Sequence, residues 1–216
     1  MSSKITVMLV DDHAVVRAGY RMLLAQSGPI EVVCEAASGE EACQYYQERQ
    51  PRVVVMDLNL PGIGGLAATR RIIGRDPAAK ILIFSIHDEL VYVIRSLEAG
   101  AKGYITKSCA PDLLVDAVIR IARNETLIEP AIAQKLAIQH CSGQQPNAAT
   151  LDVLSAREFD VFCLLAKGYS TREAAGELKL GIKTVSNYAS LIKDKLNVHT
   201  TADLVRLAYQ HGLIQR

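Results

Sequence analysis

Five short apolar runs, each followed by an amphipathic stretch, constrain this chain more than any other feature of its sequence. They are ITVMLV (5–10), EVVCEA (31–36), VVVMD (53–57), KILIFS (80–85) and GYIT (103–106). Runs this short, rich in β-branched residues and apolar at consecutive positions, suit strands buried on both faces, as in a parallel sheet. Between and after them, segments 14–26, 40–49, 65–74, 88–99 and 111–123 carry apolar residues at helical spacing. In the last, Leu113, Leu114, Ala117, Val118, Ile121 and Ala122 share one face. Five β-α units in succession call for right-handed crossovers, and so for a doubly wound α/β domain with a five-stranded parallel sheet in the order 2-1-3-4-5.

The pattern changes after residue 125. Residues 126–137 read as one more short helix, and 138–150, with HCSGQQPNAAT, turn small and polar as a linker does. Beyond them every periodic segment is helical. In LSARE (154–158) Ser155 is an N-cap with Glu158 three residues on, while Leu154 and Phe159 occupy the staple positions. Gly168 ends that helix, and Ser170 with Glu173 repeats the capping box. A turn near Leu180 and Gly181 precedes a third helix over 183–196, and a fourth covers about 202–211. The chain therefore divides into an α/β domain (1–125), a helical extension and linker (126–150), and a small all-α four-helix domain (151–216).

Composition excludes some partners. No apolar stretch approaches the ~18 residues a membrane span requires, and the start, MSSKITVMLVDDH, lacks the form of a secretory signal. Cys34, Cys43, Cys109, Cys141 and Cys163 are scattered without metal-ligand spacing, and an odd number of unclustered thiols fits a reducing compartment. The expectation is a soluble cytoplasmic protein with no membrane partner. Net charge is +1, so bulk charge does not mark a nucleic-acid binder, but Lys179, Lys183, Lys193 and Lys195 face only Asp194 in their stretch.

In a doubly wound sheet ligands bind beyond the carboxyl ends of the strands, where strand order reverses. Here that point lies between the first and third strands, ended by Asp11-Asp12 and by Asp57. Three convergent carboxylates repel one another unless a cation joins them, and hard oxygen donors with room for water and phosphate suit Mg²⁺. Ser85 closes the fourth strand and Lys107 follows the fifth. A hydroxyl, an ammonium and a divalent cation around one carboxylate make a site for a transferred phosphoryl group, with Asp57 as nucleophile. The glycine-rich LPGIGG (60–65) lets the backbone pass closely around it. Taken singly, each feature has a bland explanation: the Asp pair as a helix N-cap, the lysine as a solvated surface group. Together, at the ends of separate strands, they do not.

These residues resemble the receiver domain of two-component response regulators: the Asp11-Asp12 pair, Asp57 followed by LPGIGG, Ser85, and Lys107 within KGYITK. The stretch DDHAVVRAG further resembles the NarL/FixJ subgroup. The resemblance implies a CheY-like fold, direct Mg²⁺ ligation by Asp12, Asp57 and the backbone carbonyl of Asn59, and Asp11 acting largely through water. It also implies a switch pair, Ser85 and Tyr104, that reorients on phosphorylation. Ile86 departs from the common pattern, which has a small residue there, and predicts tighter access to the phosphate.

At about 100° per residue, Val185, Ala189, Ile192 and Leu196 fall on one side of the third C-terminal helix, and Lys183, Ser186, Asn187 and Ser190 on the other. Amides and hydroxyls on such a face can read base edges in the major groove, with Lys193 and Lys195 placed for phosphates and Tyr188 on the border. By periodicity alone a solvated face explains this as well. However, LSARE, LLAKGYSTREAAGEL, KTVSNY, IKDKLNV and ADLVRLAYQHGL together resemble a LuxR-type helix-turn-helix. That implies a scaffold helix at 171–178, a recognition helix at 183–196 offering Lys183, Thr184, Ser186, Asn187, Tyr188, Ser190 and Lys193 to double-stranded DNA, and a last helix that often pairs two modules. Leu204, Val205, Leu207 and Ala208 are the candidate dimerisation residues. Gly181 replaces a common Ser N-cap, Gly176 interrupts the scaffold helix, and Ser186 and Tyr188 replace a Lys and a His common in relatives, so base preference does not carry across.

The chain thus reads as a transcription regulator and not an enzyme. It would work as a homodimer, phosphorylated on Asp57 by a sensor histidine kinase or a small phosphodonor, with RNA polymerase a further partner. A haloacid-dehalogenase-type phosphatase would need D-x-D on the first strand, which is absent. An adaptor binding protein through its C-terminal helices is the remaining alternative, separable by a DNA mobility shift.

Overall fold

The computed structural model describes residues 4–141, 151, 153–178, 180–211 and 213–214, and the chain divides into two compact units, Met1–Asp88 with Tyr92–Gln134 and Glu89–Val91 with Lys135–Arg216. In the first, β1 (Ile5–Val10), β2 (Ile30–Ala36), β3 (Val53–Met56), β4 (Ile81–Ser85) and β5 (Gly103–Thr106) alternate with helices. These are α1 (Ala14–Gln26), α2 (Gly39–Arg49), α3 (Gly64–Arg75), α4 (Leu90–Glu98) and α5 (Pro111–Ala122). All strands pair in parallel, and β3 and β4 are buried at every position, as consecutive apolar residues require. Val7, Leu9, Val55, Leu82, Phe84 and Ile105 pack with Leu114, Ala117, Val118 and Ile121 of α5 in one core, and Tyr20 of α1 meets Phe84 edge-on at 4.7 Å.

The sheet has six strands, not five, in the order β2-β1-β3-β4-β5-β6. The sixth, β6 (Leu127–Ile128), pairs in parallel with β5, and Glu129 N donates to Tyr104 O at 2.9 Å beside it. Two residues carry no periodicity, so the segment reads as helix in the sequence, yet without it the outer backbone groups of β5 would be an open edge. The helix expected over 126–137 accordingly begins later, as α6 (Pro130–Cys141), with proline at its first position, where the missing N–H costs nothing. Residues 138–141 of the expected linker close α6, and 142–150 lie outside the described residues.

The second unit contains α7 (Ala156–Ala166), α8 (Thr171–Glu177), α9 (Ile182–Leu196) and α10 (Thr201–Gln210). Capping boxes open three of them: Ser155 with Glu158, Ser170 with Glu173, and Thr200 with Asp203. Leu154 and Phe159 are both buried at the start of α7. Gly168, at φ +92°, follows the α7 C-cap in the left-handed conformation that glycine adopts without strain. Val185, Ile192 and Leu196 of α9 are buried in this small core with Phe162, Ala174, Ala175, Leu204 and Ala208.

Candidate functional site

Strand register places the acidic residues. Val10 of β1 lies opposite Met56 of β3, and Asp57 N donates to Val10 O at 2.9 Å, so Asp11 and Asp57 leave the sheet side by side. One position further along the sheet Ser85 pairs with Thr106, and Lys107 N donates to Ser85 O at 2.8 Å. The Lys107 side chain returns across the strand ends, its Nζ 2.6 Å from Asp11 Oδ2 and 2.7 Å from Asp57 Oδ2. One ammonium thus bridges two carboxylates contributed by residues far apart in the chain.

Asp57 is only 3 % exposed. Burial pushes its carboxyl above the ordinary value, against the pull of the Lys107 charge. Burial opposes the charge on Lys107, but the carboxylates of Asp57 and Asp11 outweigh it and hold the ammonium above its ordinary value. Asp57 Oδ1 accepts from Asn59 N at 3.2 Å. Behind the carboxylate α3 presses closely: a Cβ on Gly65 would overlap the Asp57 carbonyl oxygen. Gly62 and Gly64 of the same loop have φ +72° and +73°.

Asp12 forms the other side of the site. Its Oδ1 lies 2.7 Å from His13 Nδ1, and ligand atoms of Asp11, Asp12 and His13 all lie within 4.8 Å of one another. The Asp pair does not cap α1: His13 is the N-cap, without a side-chain cap bond, and Asp11 Oδ1 accepts from His13 N at 2.8 Å. Arg17 donates to Asp11 O at 2.6 Å, fixing the strand end from the α1 side.

Ser85 and Tyr104 are fully buried and joined through His87: Ser85 Oγ accepts from His87 N at 3.3 Å, and Tyr104 Oη donates to His87 O at 2.9 Å. The His87 ring reaches Asn59 Oδ1 at 2.9 Å and stacks on Tyr92 at 4.0 Å. His13, Arg17 and His87 carry no sequence signal, because each is defined only by what the fold brings beside it. Ile86, just past the end of β4, is 66 % exposed.

In the second unit Lys183, Thr184, Ser186, Asn187 and Ser190 are exposed on α9, with Tyr188 and Lys193 half-buried beside them. Lys195 is committed elsewhere. Its Nζ lies 2.8 Å and 2.7 Å from the two carboxylate oxygens of Glu158, which leaves it poorly placed for the phosphate contact expected of it. Gly181 is the α9 N-cap and makes no side-chain cap bond. Of the four candidate dimerisation residues, Leu204 and Ala208 are buried in the module's own core, because α10 turns its i, i+4 face inward; Val205 is exposed and Leu207 half-buried.

Two family models match: the response regulator receiver domain over residues 7–119, and the bacterial regulatory proteins of the luxR family over 152–208. The transcriptional activator protein ExaE of Pseudomonas putida is 44 % identical over 209 residues, covering 97 % of this chain and 98 % of that protein. The response regulator UvrY of Escherichia coli is 37 % identical over 209 residues, covering 97 % of this chain and 95 % of UvrY. Among solved structures, a LuxR-family two-component response regulator from Aurantimonas sp. SI85-9A1 is similar with TM-score 0.63 and 46 % identity, over 64 % of this chain and 99 % of that one.

Proposed function

The chain belongs to the response regulators that join a receiver domain to a LuxR-type DNA-binding module, and from that membership we propose that phosphorylation of Asp57 by a sensor histidine kinase switches its pairing and its grip on DNA. It is a DNA-binding transcription regulator of a two-component system, not an enzyme. The observation that carries the proposal is the Lys107 ammonium held between Asp11 and Asp57.

A carboxylate oxygen of Asp57 attacks the donor phosphorus, the bond from phosphorus to the donor breaks with its electron pair leaving on the donor, and an acyl phosphate forms. Lys107 then exchanges a carboxylate partner for a phosphoryl oxygen. Carboxylate and carbonyl oxygens are hard donors that suit Mg²⁺: Asp12, Asp57 and the Asn59 carbonyl would hold it directly and Asp11 through water. Bound there, the metal supplies charge that neutralises the phosphoryl oxygens. The Ser85 hydroxyl turns to the phosphate, and because Ser85 and Tyr104 both bond the His87 backbone, that turn loads the Tyr104 contact and alters the surface around α4 and β5. Pairing through Val205 and Leu207 of α10, and contact with RNA polymerase, follow on DNA. The protein works in the cytoplasm, where its free thiols Cys34, Cys43, Cys109 and Cys163 stay reduced; among the described residues no helix is long and apolar enough to cross a membrane.

Incubation with phosphoramidate and Mg²⁺ adds one phosphate, labile to hydroxylamine, and Asp57→Asn abolishes it. Intact-mass spectrometry showing the same adduct in that variant would place the phosphoacceptor elsewhere.

A further inference from the structure

A second polar hollow in the first unit lies at the opposite end of the sheet from Asp57. Arg52 immediately precedes β3 and Lys80 immediately precedes β4, whereas Asp57 and Ser85 stand at the far ends of the same strands. With Arg71 and Arg75 of α3 they line a cavity of about 580 Å³. Four cationic side chains and one carboxylate line it; the carboxylate, Asp76, already accepts from Tyr46 Oη at 2.6 Å, and Arg52 Nη2 lies 3.5 Å from Ala122 O. Lys80 Nζ donates to Ala122 O at 2.7 Å and is held at the rim. Burial, with a smaller push from the Arg52 charge, holds its ammonium below the ordinary value. Arg71 and Arg75 are one helical turn apart and exposed, and neither has an ion-pair partner among the described residues. The floor is apolar: Cys43, Ile72 and Ala79 are buried beneath the charges.

Like charges gathered in one concavity repel, and an anion relieves the repulsion. The volume lies within the roughly 300–1,000 Å³ typical of small-molecule sites and is too small for a folded partner. A guanidinium fork matches a phosphate in two hydrogen bonds, and two forks at i and i+4 can close on one phosphate from adjacent turns. An apolar floor beneath a cationic rim asks for a ligand with a flat ring as well as an anionic group. We propose that this hollow binds a nucleoside phosphate, its phosphate held by Arg71 and Arg75 with Lys80 and Arg52 beside them, its ring lying over Ile72 and Ala79. The site shares no residue with the phosphoacceptor cluster, so the two stand or fall separately.

Titration calorimetry of the full chain in EDTA, with AMP, ATP and inorganic phosphate as ligands, decides it. The expected result is saturable one-to-one binding of a nucleotide, weakened at least about tenfold by Arg71→Ala with Arg75→Ala, and at least about tenfold tighter than inorganic phosphate. Both arginines are exposed, and an unchanged thermal unfolding curve verifies the double variant; if that curve shifts, Arg52→Ala provides the same comparison. No saturable heat with either nucleotide overturns the proposal. So does undiminished affinity in the variants, phosphate binding as tightly as AMP, or binding of an acidic peptide where the nucleotides fail.

Discussion

Gly65 shows how little room the proposed phosphoacceptor, Asp57, has. A methyl group there would overlap the backbone carbonyl of Asp57, so Gly65→Ala must push α3 away from β3. We expect it to destabilise the first unit by about 1–3 kcal/mol, the usual range for overpacking, and to slow phosphorylation because the carboxylate moves with its backbone. Denaturant titration and phosphoramidate kinetics check both effects, and unchanged values would mean that the close approach is not needed. At Glu158 the controlling force is charge. Burial raises its carboxyl, but the bonds from Lys195 and from the Ser155 backbone and hydroxyl outweigh that and hold it below the ordinary value. A carboxylate whose folded-state value is depressed adds stability that is present above its unfolded value and lost as pH falls through the folded one. Glu158→Gln should therefore cost about 1–2 kcal/mol at neutral pH, and the gap from the parent should shrink as pH falls below about 4. Melting curves from neutral pH down to about 3 test this; a gap constant over that range would assign the effect to packing instead of charge.

At the scale of elements, the proposed reach of α9 toward DNA would rest on Lys183 and Asn187, both exposed near its N-terminal end. Replacing either with alanine should cost about 1–3 kcal/mol of specific binding. Loss of a phosphate contact at Lys183 should also lower the slope of log affinity against log salt by about one, whereas loss of a base contact at Asn187 should leave the slope unchanged. Fluorescence anisotropy at several salt concentrations separates the two, and neither substitution mattering would remove α9 from the groove. Much of this level was legible in the sequence. Consecutive β-branched runs ending in Asp, Asp, Ser and Lys located the strand ends and the residues on them, and serine three residues before glutamate marked the starts of α7 and α8. What was not legible has physical causes. Strand β6 is too short to carry a period. His87 finds Asn59 only across the sheet, and Lys195 finds Glu158 only when α7 and α9 pack. The inward turn of Leu204 and Ala208 depends on which face of α10 the small core claims, and a helix with apolar residues on both faces does not announce that.

In the whole molecule, on the proposed reading, chemistry at one carboxylate governs binding at a separate helical module. A single module of four short helices offers few contacts to DNA, so specific affinity should need two copies on adjacent half-sites, and phosphorylation should favour the pair. Coupling of this kind amounts to about 1–3 kcal/mol, or roughly 5–150-fold in affinity. The direct measurement is the affinity of the full chain for its own promoter DNA, by footprinting at fixed salt, with and without phosphoramidate and Mg²⁺, alongside Asp57→Asn treated identically. Binding by the parent chain should tighten within that range, and binding by the variant should not change. Equal affinity in the phosphorylated and unphosphorylated parent would contradict this coupling.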